Sequence, residues 1–198
     1  MRLLALDQAS KTSGYAVFID GKLEDYGKFT FEDVEIGDRL HKIRDKVAEL
    51  IANYGIDYVA FEDIQLQQNV QNNVQTFKVL AEVFGVIYEL VTSLEIPNTA
   101  VLAGTWKSTL GIKGRTRPEQ KRNAQEYVLN TYGVKAIQDV CDAICIGAHV
   151  CKKGKTVSTN ETRGEKLSHL NCHDCCIKWF KGIQKSFFCI PNVAFFAK

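Results

Sequence analysis

No apolar run in this 198-residue chain is long enough to span a bilayer, which sets aside membrane-embedded functions. The opening stretch Met1-Arg2-Leu3-Leu4-Ala5-Leu6 meets an acid at Asp7, too early for the apolar region of a secretory signal. There are no internal repeats and no low-complexity tracts, so the chain is neither a solenoid nor a compositional tail. Seven cysteines, an odd number without a signal, argue against a disulfide framework. These absences point to a protein of the cytoplasm, with no membrane partner. The length suits one domain with a sizeable core.

Charge divides the chain unevenly. Residues 1–150 carry 16 Lys+Arg and 20 Asp+Glu, net −4, whereas residues 151–198 carry 9 and 3, net +6. Five of the seven cysteines stand at 151 or later. A domain over 1–150 followed by a basic, Cys-rich extension over 151–198 is the expected organisation.

Periodicity gives the elements. Residues 2–8 read as a buried strand, Tyr15–Ile19 as a second, and Asp20-Gly21 as a hairpin turn into a third at 22–31. Residues 36–53 have helical spacing on Ile36, Leu40, Ile43, Val47, Leu50 and Ile51, with Gly55 as the stop. A short apolar strand ends at Glu62 and is expected to run parallel to the first, because a helix connects them. A Gln/Asn-rich loop then leads into a helix over 74–93, apolar on most sides and therefore central or at an interface. A fifth strand spans 99–103, and residues 104–118 form a Gly- and Lys/Arg-rich loop. Helices follow from Pro118 to about Thr131 and over 138–150. The fold class expected is α/β, a mixed five-stranded sheet flanked by helices.

Chemistry concentrates in four carboxylates. Asp7 and Glu62 each end an apolar run, and carboxylates at the ends of buried strands are costly unless their charge is offset. Asp139 and Asp142, three apart on a helix, share a face. Taken singly, Asp7 is an ordinary turn residue, Glu62-Asp63 a solvated strand end, and Asp139 a favourable charge at a helix N-terminus. Taken together, they read as a site for a hard divalent cation, Mg²⁺ or Mn²⁺, of the kind that cuts phosphodiesters. Lys107, Lys113, Arg115, Arg117, Lys121 and Arg122 crowd into sixteen residues against one acid, Glu119. In an otherwise acidic domain this patch suits phosphate contact, although a solvated helix start has the same composition. Gln65 and Gln67, within the Gln/Asn loop, are further candidates for hydrogen bonds to DNA.

Three segments, Leu6-Asp7-Gln8-Ala9-Ser10-Lys11-Thr12-Ser13-Gly14-Tyr15-Ala16-Val17, Ala60-Phe61-Glu62-Asp63 and Asp139-Val140-Cys141-Asp142-Ala143, resemble the RuvC-type Holliday junction resolvases, the phage-encoded branch in particular. The resemblance covers about residues 1–150. It implies an RNase H-like fold, a homodimer and Mg²⁺-dependent cleavage of four-way DNA junctions. The family's four catalytic acids fall on Asp7, Glu62, Asp139 and Asp142. Trp106-Lys107 before Gly111-Ile112-Lys113-Gly114 matches a family lysine ahead of a glycine loop, and Lys121 stands near a second family lysine. The helix over 74–93 is then the dimer seam.

Two features depart from the family. The bacterial enzymes carry an aromatic residue just after the second acid, where this chain has Ile64-Gln65-Leu66-Gln67. This keeps open a nuclease for flaps, forks or RNA–DNA hybrids. The tail after 150 carries none of the family's motifs. His169, Cys172, Cys175 and Cys189 are zinc-ligand types, but half of a zinc site is missing and these cysteines read as reduced. An actin-like ATPase fragment would need a second phosphate motif, which is absent. A noncatalytic module of the same fold would be marked by missing acids, and none is missing.

Overall fold

A computed structural model of the chain describes residues 1–65 and 73–158, within a compact unit spanning Met1–Asn160. The element order is β1 (Arg2–Asp7), β2 (Thr12–Ile19), β3 (Lys22–Thr30), α1 (Ile36–Tyr54), β4 (Tyr58–Glu62), α2 (Asn73–Ser93), β5 (Asn98–Val101), α3 (Ala103–Leu110), α4 (Arg117–Tyr132) and α5 (Gln138–Ser158). The five strands form one sheet in the order β3-β2-β1-β4-β5. Strands β1, β2 and β3 pair antiparallel, while β1–β4 and β4–β5 are parallel. The expected mixed sheet, and the parallel pairing of the two acid-bearing strands, are both present.

Both faces of the sheet are covered, which explains why β1 reads as an unbroken apolar run rather than an alternating one. Leu3 and Ala5 face one cluster, with Ala16, Phe18 and Ala60, under α3, α4 and α5. Leu4 and Leu6 face the other, with Val17, Val59 and Phe61, under α1 and α2. Leu3 through Leu6 are all 0 % exposed. On the first face the strands present small side chains (Ala5, Ala16 and Ala60), and α5 answers with Ala143, Gly147 and Ala148. The central helix therefore packs close to the sheet. A Cβ on Gly147 would lie 2.2 Å from the Phe18 ring, so glycine is required at that crossing.

Residues 104–118, expected as a loop, begin instead as helix α3. Trp106 and Leu110, four apart, bury one face of this single short helix in the core, at 1 % and 8 % exposure. Gly111 ends it in a left-handed conformation, φ 72°, that glycine adopts freely. Strand β2 begins at Thr12 rather than Tyr15, because Thr12, Ser13 and Gly14 pair with β3, and Gly14 also with β1. Helix α5 continues through residue 150 to Ser158. Gln67 and the tail residues His169, Cys172, Cys175 and Cys189 lie outside the described residues. Among the described residues, no helix is long and apolar enough to cross a membrane.

Candidate active site

Strand alternation aims the first two acids. Leu3 and Ala5 lie on the face covered by α5, so Asp7, two residues on, points to that face. Ala60 does the same for Glu62. Parallel pairing (Leu6 opposite Phe61) puts both acids at the same, C-terminal end of the sheet. The other two acids come from the first turns of α5. What brings α5 there is Gly14, which pairs with Asp7 across β1–β2. A Cβ on Gly14 would lie 2.0 Å from the Asp139 carbonyl oxygen and 2.7 Å from the Val140 nitrogen, so only glycine admits the start of the helix.

The four carboxyls feel one another. Burial, then Glu62, Asp142 and Asp139, holds Asp7 well above the usual carboxylate range. Burial, then Asp142, pushes Glu62 up to about 7. Asp142 is raised by burial, against which Gln138, Lys107 and Lys121 pull it down. All four acids are half-buried. Such a set of like charges is stabilised by a cation at its centre.

Basic side chains ring the acids. Lys107 lowers the pKa of both Glu62 and Asp142, Lys121 acts on Asp7 and Asp142, and Arg117 acts on Glu62. Lys107 Nζ lies 3.3 Å from Gln120 Oε1 and 5.1 Å above the Trp106 ring. Beside it opens a cleft of about 500 Å³ lined by Lys107, Ser108, Lys113, Gly114 and Gln120. The cleft wall is tied to α4, where Gln120 donates to the Gly114 carbonyl and Asn123 to the Lys113 carbonyl. Thr116 caps α4 by accepting from the Glu119 N–H, and Glu119 accepts from the Arg115 N–H. Lys113, Arg115 and Arg122 are exposed, and of the six basic residues Lys107, Arg117 and Lys121 bear on the acids. Gln65 is exposed just beyond β4.

Three supporting residues are not among the acids and cations that the sequence singles out. Gln138 Nε2 donates to Asp142 Oδ1 at 2.7 Å and fixes that carboxylate. Trp106 Nε1 is buried without a partner in full hydrogen-bond geometry, yet it approaches Glu62 closely enough to draw its pKa down. The Gln8 side chain bonds to the backbone of Glu62. Gln138 and Asp142 stand four apart on α5, a spacing that brings helix side chains together, whereas the Trp106 and Gln8 pairings depend on the assembled sheet.

The donor set fits a hard divalent cation. It consists of carboxylate oxygens, and the one thiol within the α5 motif, Cys141, is buried and donates to the Ala136 carbonyl. Among the described residues, no three His, Cys, Asp or Glu side chains stand close enough together to hold an ion as placed. The acids thus converge on one region without forming a closed coordination shell.

The model of the family described as "Crossover junction endodeoxyribonuclease RuvC" matches residues 3–151. The chain belongs to this family. The RuvC of Trichlorobacter lovleyi is 26 % identical over 156 residues, covering 74 % of this chain and 82 % of the relative. Among solved structures, Thermus thermophilus RuvC in complex with a Holliday junction substrate superposes with a TM-score of 0.63 at 16 % identity, over 79 % of this chain and 96 % of that one. The yeast mitochondrial Holliday junction resolvase gives 0.56 at 12 %, over 80 % and 81 %. At such identities these two likenesses show the shared RNase H-like fold. RuvC-family enzymes depend on divalent metal, which agrees with an all-oxygen donor set.

Proposed function

We propose that this RuvC-family chain is a Mg²⁺-dependent endonuclease that cuts four-way DNA junctions, with Asp7, Glu62, Asp139 and Asp142 as its metal ligands. The observation that carries the reading is the convergence of four carboxyls, from two strands and one helix, on a rim bearing Lys107, Lys121 and Arg117. Mg²⁺ bound there supplies a water activated at neutral pH and charge neutralisation at the scissile phosphate. The chain's own residues do the rest. The acids hold the ions and orient the nucleophile, and Lys107 neutralises the phosphate beside Glu62. Lys113, Arg115, Lys121 and Arg122, with Gln65 and Gln67, hold the flanking backbone. The product is a nick with 5′-phosphate and 3′-hydroxyl ends. The relative solved with a Holliday junction supports the choice of substrate.

The working form is a homodimer through α2. Val83, Ile87, Leu90 and Val91 bury one stripe of that helix in the core. A second apolar stripe faces outward, with Val74 69 % and Tyr88 51 % exposed and Phe84 stacked on Tyr88. A two-fold axis along it would place two sites on opposing strands of a junction. The setting is the cytoplasm of a bacterial or phage-infected cell.

Asp63-Ile64-Gln65 brings no aromatic side chain behind Glu62, and this favours a second reading, a nuclease of wider range acting on flaps and forks. Labelled four-way junction, fork, flap and linear duplex, incubated side by side with Mg²⁺, distinguish the two. Paired symmetric nicks on the junction alone support resolution, whereas equal cutting of flaps and forks supports the wider nuclease. No cutting of any branched substrate refutes both.

A further inference from the structure

The β1–β4 ladder stops one residue short of the acids. Backbone pairing ends at Leu6 opposite Phe61. Beyond that point β1 stays with β2, through Asp7 opposite Gly14, while β4 stays with β5, through Glu62 opposite Val101. The sheet splits between the two carboxylates. Two backbone groups of Glu62 on the split side would lack partners there, which is costly for buried polar groups.

Gln8 closes the split. Its Nε2 donates to the Glu62 carbonyl at 2.6 Å, and its Oε1 accepts from the Glu62 N–H at 3.1 Å. A carboxamide presents the same donor and acceptor as a peptide unit, so one side chain continues the ladder where the backbone leaves it. Gln8 is 6 % exposed. The turn that carries it is fastened by Ser13, which is fully buried; its Oγ accepts from the Ala9 N–H and donates to the Ala9 carbonyl, both at 3.0 Å. Asp7 and Glu62 are therefore not independent strand ends. Their separation is set by a two-bond clamp one residue from Asp7.

We propose that Gln8 is a positioning residue of the carboxylate site, holding Glu62 at a fixed distance from Asp7 so that the pair meets the narrow geometry of Mg²⁺. This rests on the site reading given under Proposed function. Mg²⁺ demands near-ideal octahedral geometry at short distances, so a loosened Glu62 penalises it more than the larger, more tolerant Mn²⁺. Residues that orient ligands from behind typically change metal affinity or activity by about 10–100-fold.

Gln8→Met keeps the volume and removes both hydrogen-bonding atoms, and the test uses it in the full chain. By NMR hydrogen exchange without metal, the Glu62 amide should exchange about tenfold faster than in wild type, with Val59 and Ala60 unchanged. Junction cleavage with Mg²⁺ should fall at least tenfold, and Mn²⁺ should restore most of it, with junction affinity unchanged. Equal losses with both cations, or an unaltered Glu62 amide, overturn the proposal. If Gln8→Met does not fold, Gln8→Asn, one methylene short of the clamp, takes its place with the same expected pattern. In wild type, a Glu62 amide that exchanges like a free one overturns the clamp outright. Wild-type protein that cuts no junction with either cation sinks the site reading and the proposal with it, whereas active wild type without the Mg²⁺/Mn²⁺ difference sinks the proposal alone.

Discussion

Replacing Gly14 by alanine should disable the protein through one contact. The added Cβ would sit 2.0 Å from the Asp139 carbonyl oxygen, 2.3 Å from its carbon and 2.7 Å from the Val140 nitrogen. All three are backbone atoms at the start of α5 and cannot swing away as a side chain does. A tolerable contact needs at least 3.0 Å, so the helix start must retreat by about an ångström or β2 must bend. Overpacking of this kind costs about 1–3 kcal/mol, and rigid backbone places the substitution at the upper end. For a domain of this size, about 3 kcal/mol lowers the melting temperature by roughly 6–12 °C. The same retreat carries Asp139 away from Asp7, and a displacement of about 1 Å at a reacting centre costs on the order of 10²-fold in rate. Differential scanning fluorimetry and junction cleavage measure the two effects. Gly37→Ala, where a Cβ would meet nothing within 4 Å, is the control and should unfold at or slightly above the wild-type temperature. Gly14→Ala melting with wild type and cutting at its rate would refute the close approach of α5 to β2 and the placement of Asp139.

Three further outcomes follow from the site and the surface. Glu62 titrates near 7 when folded against an ordinary value of 4.5, so its ionised form destabilises the metal-free protein. The folded state binds the extra proton as pH falls, so metal-free stability should rise by about 1.4 kcal/mol from pH 8 to pH 6. Thermal melts of wild type against Glu62→Gln should show this difference, with added Mg²⁺ protecting more at pH 8 than at pH 6. Lys107→Ala should slow single-turnover cleavage by about 10²-fold with little change in junction affinity by gel shift, because Lys107 bears on Glu62 and Asp142 rather than on the outer basic surface. Tyr88→Glu places a charge on the outward apolar stripe of α2 and should convert dimer to monomer in sedimentation velocity; an unchanged dimer would move the seam elsewhere.

The sheet and its two acids were legible because burial on both faces writes itself as unbroken apolar runs, and each run ends on a carboxylate, Asp7 or Glu62. The parallel pairing of β1 with β4 followed from the helix between them. Hidden from the sequence were features that depend on contacts between distant segments. Helix α3 is short and carries Gly104 and Lys107 among its eight residues, so composition favoured a loop; only the burial of Trp106 and Leu110 makes it a helix. Gln8 reads as a turn residue until its side chain is seen bonding to a strand 54 positions away. Gly14 reads as part of a polar turn until the start of α5 is placed against it. Spacing along α5 puts Asp139 and Asp142 on one face, but not which element that face meets.

The central claim is that Asp7 and its three partners form one metal site for phosphodiester cleavage. Its most direct test is Mg²⁺-dependent cleavage of a labelled four-way junction by wild type and Asp7→Asn, with junction affinity measured in parallel. Wild type should give paired symmetric nicks, and Asp7→Asn should bind the junction as tightly, melt at or above the wild-type temperature without metal because a neutral amide replaces a carboxyl crowded by three others, and cut nothing. Cleavage by Asp7→Asn at the wild-type rate would contradict the account.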